Sequence, residues 1–225
     1  MTESNRPEEM QYPMKTVYVV RHGECEENLK PVFAGDCESP LTDKGKQQAH
    51  GFAHRISDEL GDLAPTAFIS SPLSRAVNTA KVAMEEIEDK DHVEYYFAPD
   101  MSAGFKNEDY FYTVSDLLRP RNYGEIKGRD YHDPELGFTD EEIDELRFGF
   151  KAIVPIKGLD DAETMQQRSD EFAKRLLETM DDGDVVVVSC HKSTGKFLVH
   201  ALTGREDYLD LFHDNCSYEK IEIAA

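Results

Sequence analysis

Short apolar runs alternate with amphipathic stretches along most of this chain. Thr16–Val20 reads TVYVV, Ala67–Ser70 reads AFIS and Val185–Ser189 reads VVVVS. Runs this short, β-branched and apolar on both faces predict strands buried inside a sheet. Val93–Phe97 and Ser217–Ile223 read as two further strands. Between them lie stretches with helical spacing. Thr42–Leu60 begins at a threonine suited to an N-cap, and Leu73–Ile87, Thr139–Phe148, Ala162–Met180 and Ser193–Leu202 follow. In Ala162–Met180, Met165, Phe172, Leu176 and Leu177 recur at a spacing that gathers them on one helix face.

Strands that alternate with helices predict an α/β chain: a three-layer α/β/α sandwich with a mostly parallel central sheet. The alternation breaks between residues 98 and 160, which are rich in aromatics and charge. That span is expected to be an inserted cap beside the strand ends. Residues 1–14 are polar and carry prolines, and read as a disordered tail ahead of a single domain over 15–225.

Charge narrows the function classes. The 225 residues carry 46 acidic and 25 basic side chains, a net charge of −21. Such a field repels nucleic acid and anionic membranes, so neither is an expected partner. It repels phosphorylated substrates too, so a phosphate site here requires a local basic island. A solubility or high-salt adaptation accounts for the acidity, as would a basic partner. Cys25, Cys37, Cys190 and Cys216 form no CxxC pair and fit no zinc spacing, so no metal site is expected. No secretory segment opens the sequence and no apolar run nears the ~20 residues that span a bilayer. A reduced, cytoplasmic protein is the expectation, its oligomeric state left open.

Three distant segments share one design, a buried strand followed at once by polar residues and then a helix. They are Val20-Arg21-His22-Gly23-Glu24, Ser70-Ser71-Pro72-Leu73-Ser74-Arg75 and Val188-Ser189-Cys190-His191. In a doubly wound sheet such clusters converge on one edge, where ligands bind. Two arginines and two histidines would meet there. Phosphoryl transfer asks for such a set, because its transition state spreads negative charge over three equatorial oxygens. Arginine forks bind phosphate bidentately. A neutral histidine attacks phosphorus if its other nitrogen is anchored, and the tight turn at Gly23 would offer a backbone carbonyl for that purpose.

The motifs resemble those of the histidine phosphatase superfamily, in its phosphoglycerate-mutase-like branch. Arg21-His22-Gly23-Glu24 with Asn28, Phe33 and Gly35, then Leu41-Thr42-Asp43-Lys44-Gly45, Ser70–Ala76, Cys190-His191 and Asn215-Cys216-Ser217 follow in the family's order. The resemblance implies a cofactor-free phosphomonoesterase acting on a small phosphorylated substrate or, alternatively, a mutase-type phosphotransferase. His22 would become the phosphohistidine, Arg21 and Arg75 would clamp the phosphate, His191 would donate to its oxygens and Asn28 would add a contact. Arg121 and Tyr123 stand where the mutases place a substrate-binding Arg and Tyr, and Arg121 with Arg119 suggests a second anionic group on the substrate.

Three departures stand out. Where the family carries a glutamate that protonates the leaving group, this chain has Pro120. Glu125 is the nearest substitute, with Glu108 and Asp109 as others. Many relatives have glycine after the second histidine, but here it is Lys192, aimed either into the phosphate pocket or at solvent. Cys25 stands where relatives often have serine. Pro120 also admits a regulatory phosphate-binding protein on a decayed phosphatase fold. A cysteine-phosphatase loop at Cys190–Lys196 would close on Lys instead of Arg. A Walker A loop would need Gly at 190, so neither fits.

Overall fold

The computed structural model describes residues 14–61, 64–88, 96–97, 111–150 and 155–224. The expected tail, apart from Met14, lies outside them, as do 93–95 of the third expected strand and 98–110 with 151–154 of the expected cap. Within them a six-stranded sheet forms from β1 (Met14–Arg21), β2 (Ala67–Ser70), β3 (Tyr96–Phe97), β4 (Phe111–Val114), β5 (Val185–Cys190) and β6 (Tyr218–Ala224). Its order is β3-β4-β2-β5-β1-β6. Only the β1–β6 pairing is antiparallel.

The period of two along the strands sorts the core into two layers. Val17 and Val19 face α4 (Ala162–Thr179) and α5 (Lys192–Thr203), packing with Phe172, Leu176 and Leu198. Tyr18 and Val20 face α1 (Asp43–Leu60) and α2 (Ser74–Glu88), packing with Phe52, Ile56 and Met84. Both faces of β1, β2 and β5 are therefore covered, which is why their sequences are apolar without alternation. Helix starts follow the capping signals. Thr42 Oγ1 accepts from Gly45 N at 3.0 Å, and Asp161 Oδ1 from Thr164 N at 2.8 Å. No helix among the described residues is long and apolar enough to cross a membrane.

The span expected as an inserted cap is divided. Phe111–Val114 is a strand of the main sheet, paired in parallel with β2, so the insertion does not run unbroken from 98. The expected helix over 139–148 is also shorter. α3 (Asp140–Asp144) gives way to a π turn over Glu145–Gly149, ended by Phe150 in the left-handed region at φ 56°. Residues beyond 115 build a small satellite core in which Phe33 packs with Ile126 and Leu146, edged by Tyr123 and Tyr131. This layer sits over the C-terminal ends of the central strands.

The loop after β1 lies directly against the first turn of α1. A Cβ added at Gly45 would stand 2.0 Å from Glu24 O, and one added at Gly23 2.4 Å from Gly45 O. Both clashes are with backbone, which cannot swing aside. Gly45→Ala should therefore destabilise the fold by about 1–3 kcal/mol, as overpacked sites do, and displace the His22 loop. The check is a lowered thermal midpoint together with weakened phosphate binding. An alanine variant as stable as wild type would contradict the close approach.

Candidate active site

Three parallel strands end in register. Arg21 is opposite Cys190, and Ser70 opposite Ser189. The ladder then continues one residue further on each side of β5, with His22 N donating to Cys190 O at 2.9 Å and Ser71 N to Ser189 O at 3.0 Å. His22, Ser71 and His191 are set side by side as a result, with the two imidazole centroids 5.1 Å apart and edge-to-face.

His22 is buried, and its Nδ1 donates to Gly23 O at 2.7 Å. A carbonyl only accepts, so the proton of the neutral ring is on Nδ1 and Nε2 keeps its lone pair. Arg75 Nε donates to that Nε2 at 3.2 Å. Burial, then Arg75, then Arg21, hold the His22 pKa well below the ordinary histidine value, so the ring is neutral. Asn215 Nδ2 donates to His22 O at 3.0 Å, and Thr79 Oγ1 accepts from Gly23 N at 3.0 Å, which fixes the turn from both sides. Gly23 is not in the left-handed region. It is glycine because of the approach of α1.

His191 Nε2 is 2.8 Å from Ser71 Oγ, and that hydroxyl already accepts from Leu73 N at 3.4 Å. No other acceptor stands near the Ser71 hydroxyl among the described residues, so its proton goes to Nε2 and the proton of the neutral ring is on Nδ1, a buried atom with no partner. Burial first and Arg75 next push the His191 pKa well below the ordinary value. Among the described residues, His191 Nδ1 is one of three buried donors in the cavity wall without a partner, beside Arg21 Nε and Arg121 Nη2.

The cations are held by carbonyl oxygens. Arg75 Nη1 and Nη2 donate to Cys37 O at 2.6 Å and Gly35 O at 2.9 Å. Arg21 Nη1 donates to Phe212 O at 3.2 Å and His213 O at 2.5 Å. Arg121, 1% exposed, donates from Nε to Asp160 O at 2.6 Å and from Nη1 to Leu146 O, with Tyr123 and Phe150 rings beside it. Burial lowers the pKa of each guanidinium without neutralising it.

These groups open on one cavity of about 500 Å³. Among the described residues, eight lysine and arginine side chains line it, against three carboxylates, in a chain of net charge −21. The basic island required by the sequence is this cavity. Asn28 reaches it with Oδ1 bound to Cys25 N at 3.2 Å and to Asn215 Nδ2 at 3.1 Å. Tyr123 and Lys192 line it as well, so Lys192 faces the cavity.

Two expectations fail on geometry. Glu125 is exposed and outside the cavity lining. Its carboxylate accepts from Lys157 N at 3.3 Å, because the 3-10 turn at Gly124–Ile126 turns it away. Arg119 is paired with Asp116 at 2.6 Å and does not reach the cavity. Glu108 and Asp109 lie outside the described residues. Pro120 does stand in the cavity wall, buried. Ser71, Arg147 and Lys196 were missed as site residues. Ser71 was visible in the Ser-Ser-Pro cluster. Lys196 showed only as the closing residue of the cysteine-phosphatase loop that does not fit, and Arg147 carried no signal, since it reads as one basic residue of an ordinary amphipathic helix. No group of His, Cys, Asp and Glu able to hold a metal is found among the described residues.

Comparison with known proteins adds the lineage. Residues 17–97 and 105–225 match the histidine phosphatase superfamily (branch 1). The chain is 26% identical over 192 residues to a 2,3-bisphosphoglycerate-dependent phosphoglycerate mutase of Chlamydia muridarum, covering 83% of each. It is 26% identical over 220 residues to phosphoglycerate mutase 1 of Saccharomyces cerevisiae, covering 86% of this chain and 80% of the yeast protein. Its fold is similar to a mycobacterial glucosyl-3-phosphoglycerate phosphatase at TM-score 0.68 and 20% identity, covering 93% and 90% of the two chains. It is equally similar to phosphoglycerate mutase from Bacillus anthracis, at TM-score 0.67 and 22% identity, covering 95% and 89%.

Two imidazoles kept neutral by burial set a pH dependence of stability. Their folded pKa values lie below that of unfolded histidine, so the unfolded chain binds protons that the native site refuses. Stability from these groups is present above pH ~6.5 and declines as pH falls below it, by up to ~1.4 kcal/mol per pH unit for each ring. Urea unfolding between pH 7.5 and 5 should show this loss, and the double variant His22→Gln/His191→Gln should flatten it. An unchanged slope in the double variant would contradict the neutral pair.

Proposed function

The chain belongs to the histidine phosphatase superfamily, and on that premise we propose that it is a phosphomonoesterase that works through a phosphohistidine at His22. The observation that carries this reading is the anchored, neutral His22 imidazole among guanidiniums held by carbonyls. Nε2 attacks the phosphorus in line. Arriving phosphoryl oxygens take over Arg75 Nε, which frees the lone pair that Arg75 covers in the unliganded site. Arg21 Nε and His191 Nδ1, the donors without partners, receive the remaining oxygens. Water then hydrolyses the phosphohistidine, and inorganic phosphate leaves.

The guanidiniums supply the charge stabilisation that Mg²⁺ gives in other phosphoryl-transfer sites, so the reaction is metal-independent. Beyond the phosphate pocket, the unpartnered Nη2 of Arg121 and the side chain of Arg147 also face the cavity. They favour a small substrate with a second anionic group next to the phosphomonoester. Four unpaired cysteines agree with a reducing, cytoplasmic setting.

A mutase-type phosphotransferase is the second reading. Arg121 and Tyr123 in the cavity favour it, and the curated relatives above carry that activity. Pro120 favours hydrolysis of substrates with good leaving groups or, at the limit, phosphate binding without turnover. p-Nitrophenyl phosphate separates these cases, since its leaving group needs little acid catalysis. Wild type should hydrolyse it and form an acid-labile phosphoenzyme. His22→Ala should abolish both, and EDTA should leave the rate unchanged. Retained turnover in His22→Ala would refute the nucleophile, and a loss restored by added metal would refute the metal-free mechanism. Phosphate binding without turnover in wild type would favour the regulatory alternative.

A further inference from the structure

With Pro120 in the cavity wall and Glu125 outside it, no carboxylic acid stands in the usual place for the leaving group among the described residues. Of the described carboxylates that do line the cavity, Glu24 and Glu27 are engaged. Glu24 is bound by Lys44 Nζ at 2.8 Å and Thr42 Oγ1 at 3.0 Å, and these bonds hold it ionised. Glu27 is paired with Lys30 at 2.8 Å. Asp214 and His213 are exposed at the rim. Burial pushes Tyr123 and Tyr131 up, away from efficient proton donation at neutral pH.

Building on the phosphatase reading, we propose that Lys192 is the catalytic residue that protonates the leaving oxygen. It opens α5 directly after His191, whose imidazole bounds the phosphate pocket. Its Nζ lies 4.9 Å over the ring of Phe148, a cap residue on the π turn. The amine is thus held between the phosphate floor and the cap wall, on the side where the esterified group must lie.

Its surroundings tune it for the task. Arg21 faces it from β1, Lys196 from the next turn of α5, Arg147 from the π turn and Asp214 from the loop before β6. Burial first, then the cations, push its pKa down to about 8. An ammonium at that value is largely charged at neutral pH yet gives up its proton far more readily than an ordinary lysine.

The steps balance. As the His22 Nε2–P bond forms and the P–O ester bond breaks, the leaving oxygen takes a proton from Lys192 Nζ. The resulting neutral amine accepts a proton from the water that attacks phosphorus as the P–Nε2 bond breaks, which restores the ammonium.

The test is kcat/KM, which isolates the first step, for p-nitrophenyl phosphate and glycerol 2-phosphate with wild type, Lys192→Met, Lys192→Arg and His213→Ala. Both Lys192 variants should lose roughly 10²–10⁴-fold on the alkyl ester and far less on the aryl ester. Wild-type kcat/KM for the alkyl ester should fall above a pH near 8, where Lys192 loses its proton, and this limb should be absent for the aryl ester. Arginine keeps the charge but does not titrate, so full rescue by Lys192→Arg would reduce Lys192 to an anion contact and overturn the proposal. Equal slowing of both esters in Lys192→Met would overturn it too, as would the leaving-group pattern appearing in His213→Ala instead. A wild type that turns over the aryl but not the alkyl ester would show that no efficient donor exists. A wild type that turns over neither would overturn the phosphatase reading itself.

Discussion

The site depends on burying several cations without giving them counter-charges. Arg21, Arg75, Arg121 and Lys196 all direct donors at backbone carbonyls, of Phe212 and His213, of Gly35 and Cys37, of Leu146 and Asp160, and of Leu209. A carbonyl orients a guanidinium by accepting its hydrogen bonds, as a carboxylate does, but leaves its charge intact. With carboxylates in those places the cavity would be close to neutral and blind to phosphate. The desolvation that lowers the pKa of each buried cation is a standing cost in the empty site. A bound phosphate dianion relieves it, so binding energy and the relief of burial act in the same direction.

This mode of restraint ties the loops to the chemistry. The carbonyls that hold Arg75 come from the loop before α1, those that hold Arg21 from the segment before β6, and those that hold Arg121 from the π turn and the segment before α4. A residue charged for catalysis thus also fastens a connecting segment. Asn215 does the same on a smaller scale, joining the His22 carbonyl to Asn28. Removing one of these cations would loosen backbone as well as weaken phosphate binding, so activity and local order are coupled at this edge of the sheet.

The strand-edge half of the site was legible because it obeys simple periodicities. A run such as VVVVS has no polar face and must be buried, and the polar residues directly after it must emerge at the sheet edge. The cap was opaque for equally physical reasons. Arg121 sits in a stretch that reads as basic surface, yet it is 1% exposed, because its partners are main-chain atoms that no sequence pattern marks. The π turn at 145–149 adds a residue to one turn, so a 3.6-residue period assigns Arg147 and Phe148 to the wrong face. Glu125 stands two residues after Tyr123 in the sequence, and that nearness does not survive folding. Gly124, at φ 56°, reverses the chain between them and sends the two side chains to opposite sides of the wall. β4 is not marked by the sequence pattern because FYTV lies in a stretch rich in aromatics and charge, where its two apolar ends do not stand out as the core of AFIS does.

A lysine donor suits this cavity in a way that a glutamic acid would not. A carboxylic acid must start neutral and finishes as an anion beside a phosphoryl group that is itself negative. Lys192 starts as a cation, adds to the field that stabilises the transition state, and finishes neutral. After transfer the cavity has lost one positive charge at the moment when the phosphohistidine has to be opened by water. The remaining cations then hold the phosphoryl oxygens while the free amine draws a proton from the incoming water. The crowding that lowers the Lys192 pKa comes from Lys196, Arg21 and Arg147, groups present for anion binding. The same excess of positive charge that captures the substrate therefore also prepares the donor, and a proline in the cap wall becomes tolerable once the proton comes from α5.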